Sequence, residues 1–513
     1  MSKLSSSLYI ALIVSFGGFV FGFDASVISG VVSFVSVEFN LTDWQQGFVV
    51  SSPTLGAVIA SSIAGTVSDK VGRKKVLLVI AFLYLASAIF STFATSYEML
   101  VTARFLGGMA FASLILAPVY IAEISPAKQR GRMISINQFN IVIGLSAAYF
   151  TNYYLINLMQ SDAAWVVSLN LQENIWRWML GLEILPALLF FVGLMFIPES
   201  PRYLVMKGRE QEAKAILTRL HGVKLMEKEL AQIEQTKQVK TPNLLASFKE
   251  LFSKKMRLVM AIGVTVAVFQ QITGVNAIYF YAPSIFEQSG VGTNAAFAQA
   301  VWVGLTNVVF TIIAMLLIDK VGRKPLLNIG LIGIALSMML CFIGFNNATY
   351  KLNSDAIQTI NIEQLKSIEN IEFDDDLEFK QAVIDVIGKQ EFKKHEAQLI
   401  QSSINIEPAF VLLGILGFVA SFAVSLGPVM WVLLAEIFPN HLRGIAISFV
   451  GVINSAISFS IQLIFPWQLS NLGTAMTFLL YGLFAIAGFI VISWLLPETK
   501  GKTLEQIEQD LAS

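Results

Sequence analysis

Residues 68–78 read SDKVGRKKVLL, and 250 positions later residues 318–327 read IDKVGRKPLL. Each copy sits between two apolar windows, so each is a short basic turn joining two helices, and the chain carries an internal duplication. Two further echoes support this: AEISPAKQRG (122–131) returns as AEIFPNHLRG (435–444), and PESPR (198–202) as PETKG (497–501). Working outward, apolar windows of about twenty residues, enough to cross a ~30 Å hydrocarbon core, fall at about 8–31, 47–67, 76–95, 98–121, 133–156 and 176–197. A second set falls at about 257–282, 297–318, 325–346, 407–434, 445–468 and 473–496. The expected fold is therefore all-α: twelve transmembrane helices in two six-helix bundles, residues 1–197 and 257–496. A charged, helix-prone linker (198–256, with GREQEAKAILTRL) joins them, and a tail (497–513) follows. Duplicated halves of this kind rock against each other around a central path.

Composition agrees. Of 513 residues, 55% are hydrophobic and only 14% charged, with mean hydropathy +0.68, outside the range of soluble globular chains. Net charge is zero, which leaves a nucleic-acid partner no electrostatic footprint. Cys341 is the one cysteine and the three histidines show no paired spacing, so a zinc site is not expected. Neither a phosphate-binding GxxxxGK[ST] nor a Ser/His/Asp set stands out. No cofactor and no enzymatic chemistry are expected. The first apolar segment lacks a small-residue cleavage site and reads as a retained helix. The loops at 68–75, 126–132 and 319–324 are basic, whereas 157–175 and 283–296 contain no Lys or Arg, which places both termini in the cytosol. The long segment at about 347–406, with EFDDDLEF, is net acidic and reads as an external insertion.

Polar residues inside the spans carry the functional reading. Gln270, Asn307 and Asn454 lie about 15–18 Å into the seventh, eighth and eleventh windows at 1.5 Å per residue, near the middle of the bilayer. Amides donate and accept together, as sugar hydroxyls do; the alternative is interhelical glue worth about 0.6 kcal/mol per bond. Gln271 and Asn276 would point about 140° apart on a straight helix, but Gly274 between them can break it. Asp24, in FVFGFDASVISG (19–30), is the only charged residue between Lys3 and Glu38. A carboxylate there costs about 2.5–3.5 kcal/mol on insertion scales. Arg104 and Glu183 fall at similar depths, about 9–10 Å from the same surface, and buried opposite charges are expected to pair. Burial and a neighbouring arginine act on a carboxylate's proton affinity in opposite senses, so such a group can carry a proton; a permanent ion pair between helices is the alternative.

With D-x-V-G-R-K after the second and eighth windows, P-E-S-P-R after the sixth, P-E-T-K-G after the twelfth and QQITGVN (270–276) in the seventh, the chain resembles the sugar porter family of the major facilitator superfamily. The resemblance implies sugar contacts from Gln138, Gln270, Gln271, Asn276, Asn307, Trp431 and Asn454. It implies proton coupling through Asp24, Arg104 and Glu183, because proton-linked members carry Asp in this G-[FY]-D position where uniporters typically carry Asn. It also implies a cytosolic gate of ion pairs from Asp69, Arg73, Glu123, Arg130, Glu199, Arg202, Asp319, Arg323, Glu436 and Arg443. Glu123 and Glu436 each precede an arginine, Arg130 and Arg443, by seven residues. Leu145, Phe280 and Ser455 depart from the family's xylose symporters, which carry Gln, Tyr and Trp there, so the sugar is left open. The expected partners are a monosaccharide, a proton and the lipid bilayer of a bacterial inner membrane, with the protein working as a monomer. A uniporter of the same fold remains open. A sugar sensor would need a long signalling tail, and about sixteen residues follow the start of PETKG.

Overall fold

The structure is a computed structural model describing residues 3–126, 129–161, 163–237, 244–439 and 441–498. Among them, twelve helices are long and apolar enough to cross a membrane: Ser7–Glu38, Asp43–Val71, Arg73–Thr92, Tyr97–Ile124, Arg130–Met159 and Ile175–Met195, then Arg257–Gln288, Thr293–Ile318, Arg323–Asn346, Pro408–Ile437, Arg443–Asn471 and Thr474–Leu495. They are called spans one to twelve below. The tail beyond Glu498 and the side chain of Asp319 lie outside the described residues.

Contacts divide the chain into two compact units. The first comprises residues up to Val27, Ser52–Ala148 and Arg177–Leu244; its core gathers Ala11, Val14, Leu77, Tyr84, Ala117, Tyr120 and Phe190. Spans one and five approach closely through Gly22 and Gly144, where a Cβ would strike the backbone of Ile141 and Phe19. Such small-residue contacts replace the hydrophobic drive that lipid cannot supply. The second unit comprises Ile28–Ser51, Tyr149–Trp176 and everything from Leu245, with span nine packed against spans ten and twelve.

The repeated D-x-V-G-R-K motif has a physical cause visible twice. Gly72 and Gly322 have φ of 113° and 107°, a left-handed conformation open mainly to glycine, so one helix stops and the next starts at the following arginine. The exposed N–H groups of the new helix are met by a carboxylate. Glu199 accepts from Lys74 N at 3.1 Å, and Glu498 from Arg323 N and Lys324 N, each at 3.2 Å. A negative group at a helix N-terminus complements its dipole. Glu199 of PESPR and Glu498 of PETKG are thus the partners of the glycine turns.

Between spans six and seven lie the helices Pro201–Met206, Glu210–His221, Val223–Lys237 and Leu244–Leu251. Pro201 and the N-cap Ser200 start the first of them. Between spans nine and ten, the acidic segment is not an open loop. It is a folded subdomain with strands β1 (Thr349–Lys351), β2 (Glu372–Phe373) and β3 (Ile404–Asn405) in antiparallel order β2-β1-β3. The helices Ser354–Ile360, Asp376–Ile387 and Lys389–Ser403 cover a core of Tyr350, Leu365, Phe379, Val383, Phe392 and Leu399.

Candidate functional site

Span seven is broken where glycine allows it. The helix Arg257–Ile272 ends, Gly274 turns with φ 92°, and a second helix, Val275–Gln288, begins. The break brings together groups that a straight helix would separate. Asn276 Nδ2 donates to Gln271 Oε1 at 2.8 Å, and Gln271 Nε2 donates to Asn454 Oδ1 at 3.1 Å. Asn454 Nδ2 returns a bond to Gln270 Oε1 at 2.8 Å, and Gln270 Nε2 donates to Leu426 O at 2.9 Å. Leu426 follows a second break, in span ten at Ser425 (φ −125°, ψ −96°), just before the helix-weakening Gly427–Pro428. Four of the seven expected sugar contacts therefore form one network in the second unit. Asn307 is not part of this network and accepts from Tyr279 OH at 3.0 Å. Trp431 lies on the span-ten helix after the break and is 48% exposed. Gln138 belongs to the first unit and is exposed.

Ser458 and Gln462 were not anticipated. Asn276 Nδ2 donates to Ser458 Oγ at 2.6 Å and Gln462 Nε2 to the same oxygen at 2.8 Å, while Tyr281 OH donates to Gln462 O at 3.2 Å. The signal was present: Asn454, Ser458 and Gln462 recur every four residues and so share one face of span eleven.

The charged cluster lies in the first unit. Asp24, Arg104 and Glu183 are 0%, 2% and 2% exposed. Arg104 Nη1 donates to Asp24 Oδ1, and both terminal nitrogens also donate to the Asp24 backbone oxygen at 3.2–3.3 Å. Glu183 sits at the break between two short helices of span six, within electrostatic reach of both. Asp24 Oδ2 and Glu183 Oε1 have no hydrogen-bond partner among the described residues. The pairing is as expected, but the depth estimate behind it needs correction. Helix one continues to Glu38, so Asp24 lies fourteen residues, or about 21 Å, from its end. The polar-looking SVE stretch continues the helix because nothing in it breaks one.

Among the gate candidates, the two glutamates do not pair with the arginines seven residues further on. Glu123 receives Arg73 (Nε at 3.3 Å), which also pairs with Asp69 at 2.5 Å. Glu436 receives Arg323 in a two-pronged pair at 2.6 and 3.1 Å. Arg130 and Arg443 instead donate to the carbonyls of Ala122 and Phe438, at 3.1 and 3.3 Å. The reason is geometric: Glu and Arg seven apart flank a helix end, and the arginine that follows the glycine turn reaches the glutamate first. Arg202 is exposed. Each ion pair described here lies within a single unit.

A duplicated twelve-span helical chain, with clustered amides at broken helices and a buried acid–base cluster, has the architecture of a secondary transporter. The family described as "Sugar (and other) transporter" matches residues 10–362 and 396–511, and the chain belongs to that family. It is 33% identical to the arabinose-proton symporter of Bacillus subtilis, covering 98% of this chain and 94% of that one. It is 32% identical to the D-xylose transporter of Levilactobacillus brevis, covering 100% and 97%. Among solved structures, the inward-open xylose transporter XylE from E. coli superposes with a TM-score of 0.74 at 28% identity over 98% of both chains. The chain is thus a multi-pass membrane transporter of the sugar porter type, with the major facilitator fold.

Proposed function

We propose that the chain imports a monosaccharide together with a proton across a bacterial cell membrane. Both termini face the cytosol, and two six-helix bundles, residues 1–197 and 257–496, alternate in exposing one central site. The observation that carries the proton is the buried cluster. Two carboxylates and one guanidinium have a net charge of −1 unless one carboxyl holds a proton, and an uncompensated buried charge is costly. One proton makes the cluster neutral. With Asp24 charged, Arg104 ties span one to span four. With Asp24 protonated, the ion pair is lost, Arg104 remains near Glu183, and span one is free to shift. A ligand or proton moves such an equilibrium only through this difference between states.

The sugar contacts in this reading are the amides of Gln270, Gln271, Asn276 and Asn454, together with Asn307, Trp431 and Gln138. The amides now bonded to one another exchange those bonds for sugar hydroxyls. An indole supplies a flat apolar face and one N–H. The pairs Arg73–Glu123 and Arg323–Glu436, with Glu199 and Glu498 behind them, form the cytosolic latch. The names of two relatives, the arabinose-proton symporter and the D-xylose transporter, support a monosaccharide, whether a hexose, a pentose or inositol.

The test is uptake by proteoliposomes offered a panel of monosaccharides in lightly buffered medium. At least one sugar is expected to enter and to alkalinise the medium as it does. Entry without alkalinisation would leave a uniporter, and entry of none of the sugars would overturn the reading.

A further inference from the structure

The acidic subdomain is moored unequally. On the second half of the chain it is held by its own ends on spans nine and ten. It is held also by Asp376, whose Oδ2 accepts Thr474 N at 3.2 Å and Thr474 Oγ1 at 2.9 Å at the start of span twelve. A third tie is Gln288 Nε2 at the end of span seven, which donates to Glu396 at 3.0 Å. On the first half it is held through Lys393. The ammonium donates to Leu41 O at 2.5 Å and lies 3.8 Å from Asp43, with both side chains about five-sixths buried (16% and 15% exposed). The receiving turn is held by local hydrogen bonds. Asn40 is left-handed (φ 48°), and Thr42 and Gln45 exchange bonds in a capping box at the start of span two.

Beneath the Asp376–Ile387 and Lys389–Ser403 helices lies a cavity of about 1270 Å³, whose walls include Glu38, Asp43, Trp176, Ser284 and Glu287. That exceeds the ~300–1,000 Å³ of a fitted ligand pocket, so the space is a vestibule. The buried Ser36 hydroxyl, which has no hydrogen-bond partner among the described residues, faces it. On the same side, Ser33 of span one touches Ser284 of span seven at 3.1 Å. The family match skips residues 363–395, the stretch that holds Asp376, Lys393 and nearly all of the vestibule's roof.

We propose that residues 349–405 are an external lid, hinged on the C-terminal half and clasped by Lys393 onto the 39–43 turn, that closes over the vestibule. It rests on the alternating-access reading above: here Ile28–Ser51 shares one compact unit with the subdomain and span seven, loading from outside needs spans one and two to part from span seven, and the clasp crosses that line. The clasp releases in each cycle, and its strength sets how often the outer side opens.

Two measurements test this. In the Asp43→Cys/Lys393→Cys chain, whose native Cys341 is buried, a short reducible bis-methanethiosulfonate linker ties lid to turn. A direct disulfide is too short for positions bridged by a lysine. Uptake is expected to fall to background on linking and to return on reduction. Complete linking, by mass, with unchanged uptake overturns the lid. Independently of transport, alkylation of a Ser33→Cys reporter is expected to be several-fold faster when Lys393→Met removes the clasp. An unchanged rate overturns the proposal, whereas a faster rate in a chain that takes up no sugar leaves the lid standing and removes the transport reading instead.

Discussion

Replacing Gly274 by alanine isolates what the broken seventh span contributes. At φ 92° an L-residue costs about 1–2 kcal/mol. The added Cβ would also lie 2.8 Å from the ring of Tyr481, well inside the ~3.5–4.0 Å of an ordinary carbon contact. That ring cannot easily yield: it is fully buried, stacks on Phe465, and its hydroxyl donates to Gln468 at 2.8 Å. Overpacking of this kind adds about 1–3 kcal/mol, for a total of about 2–5 kcal/mol. The cheapest relaxation is to straighten the helix, which swings Asn276 away from Gln271 and Ser458. The Gly274→Ala protein, purified in detergent, is therefore expected to have a clearly lower Tm. In proteoliposomes its KM should rise or its uptake vanish. An unchanged Tm with unchanged uptake would refute the claim that the break positions the amides.

Other substitutions separate the remaining parts of the mechanism. Arg104→Met leaves two buried carboxylates without their cation and should cost about 3–5 kcal/mol. Adding Asp24→Asn and Glu183→Gln should recover much of that in thermal melts, and no recovery would mean that the charges are not the cause. Glu199→Ala and Glu498→Ala each remove a carboxylate from a helix N-terminus, so both should lower stability by a similar ~1–2 kcal/mol; a large difference in Tm between them would contradict the matched roles. Asn454→Leu strands donors and acceptors of Gln270 and Gln271. It should raise the KM for the transported sugar about tenfold or more, equivalent to ~1.4 kcal/mol, and a KM within twofold of the parent would remove Asn454 from the site.

Much of this was legible because a membrane imposes strong rules. Twelve apolar windows, paired glycine turns and costly charged groups inside the spans required no tertiary knowledge, and the spans stand where they were expected; Asp24 and Arg104 do meet, although the depth estimate that brought them together was wrong for Asp24. Partner choice was less legible. Arg73 and Arg323 capture Glu123 and Glu436 because the glycine turn aims them inward, a direction that residue spacing does not encode. Ser458 and Gln462 were overlooked although their spacing was visible, since serine and glutamine in an apolar helix look like tolerated glue. The acidic segment misled in the opposite way: its charges advertise a solvated loop, while Phe379, Val383, Phe392 and Leu399 are spaced to bury one face of two short helices.

In the proposed mechanism coupling rests on Asp24, and the most direct test is sugar accumulation by the Asp24→Asn protein. Asparagine keeps the shape and removes the proton site, while Arg104 keeps Glu183 as a neighbour. In proteoliposomes with an imposed inward proton gradient, the parent should accumulate sugar above the outside concentration. The variant should lose that accumulation and the accompanying alkalinisation, yet still exchange labelled for unlabelled sugar across the membrane. Uphill accumulation by Asp24→Asn at the parent's level would contradict the account.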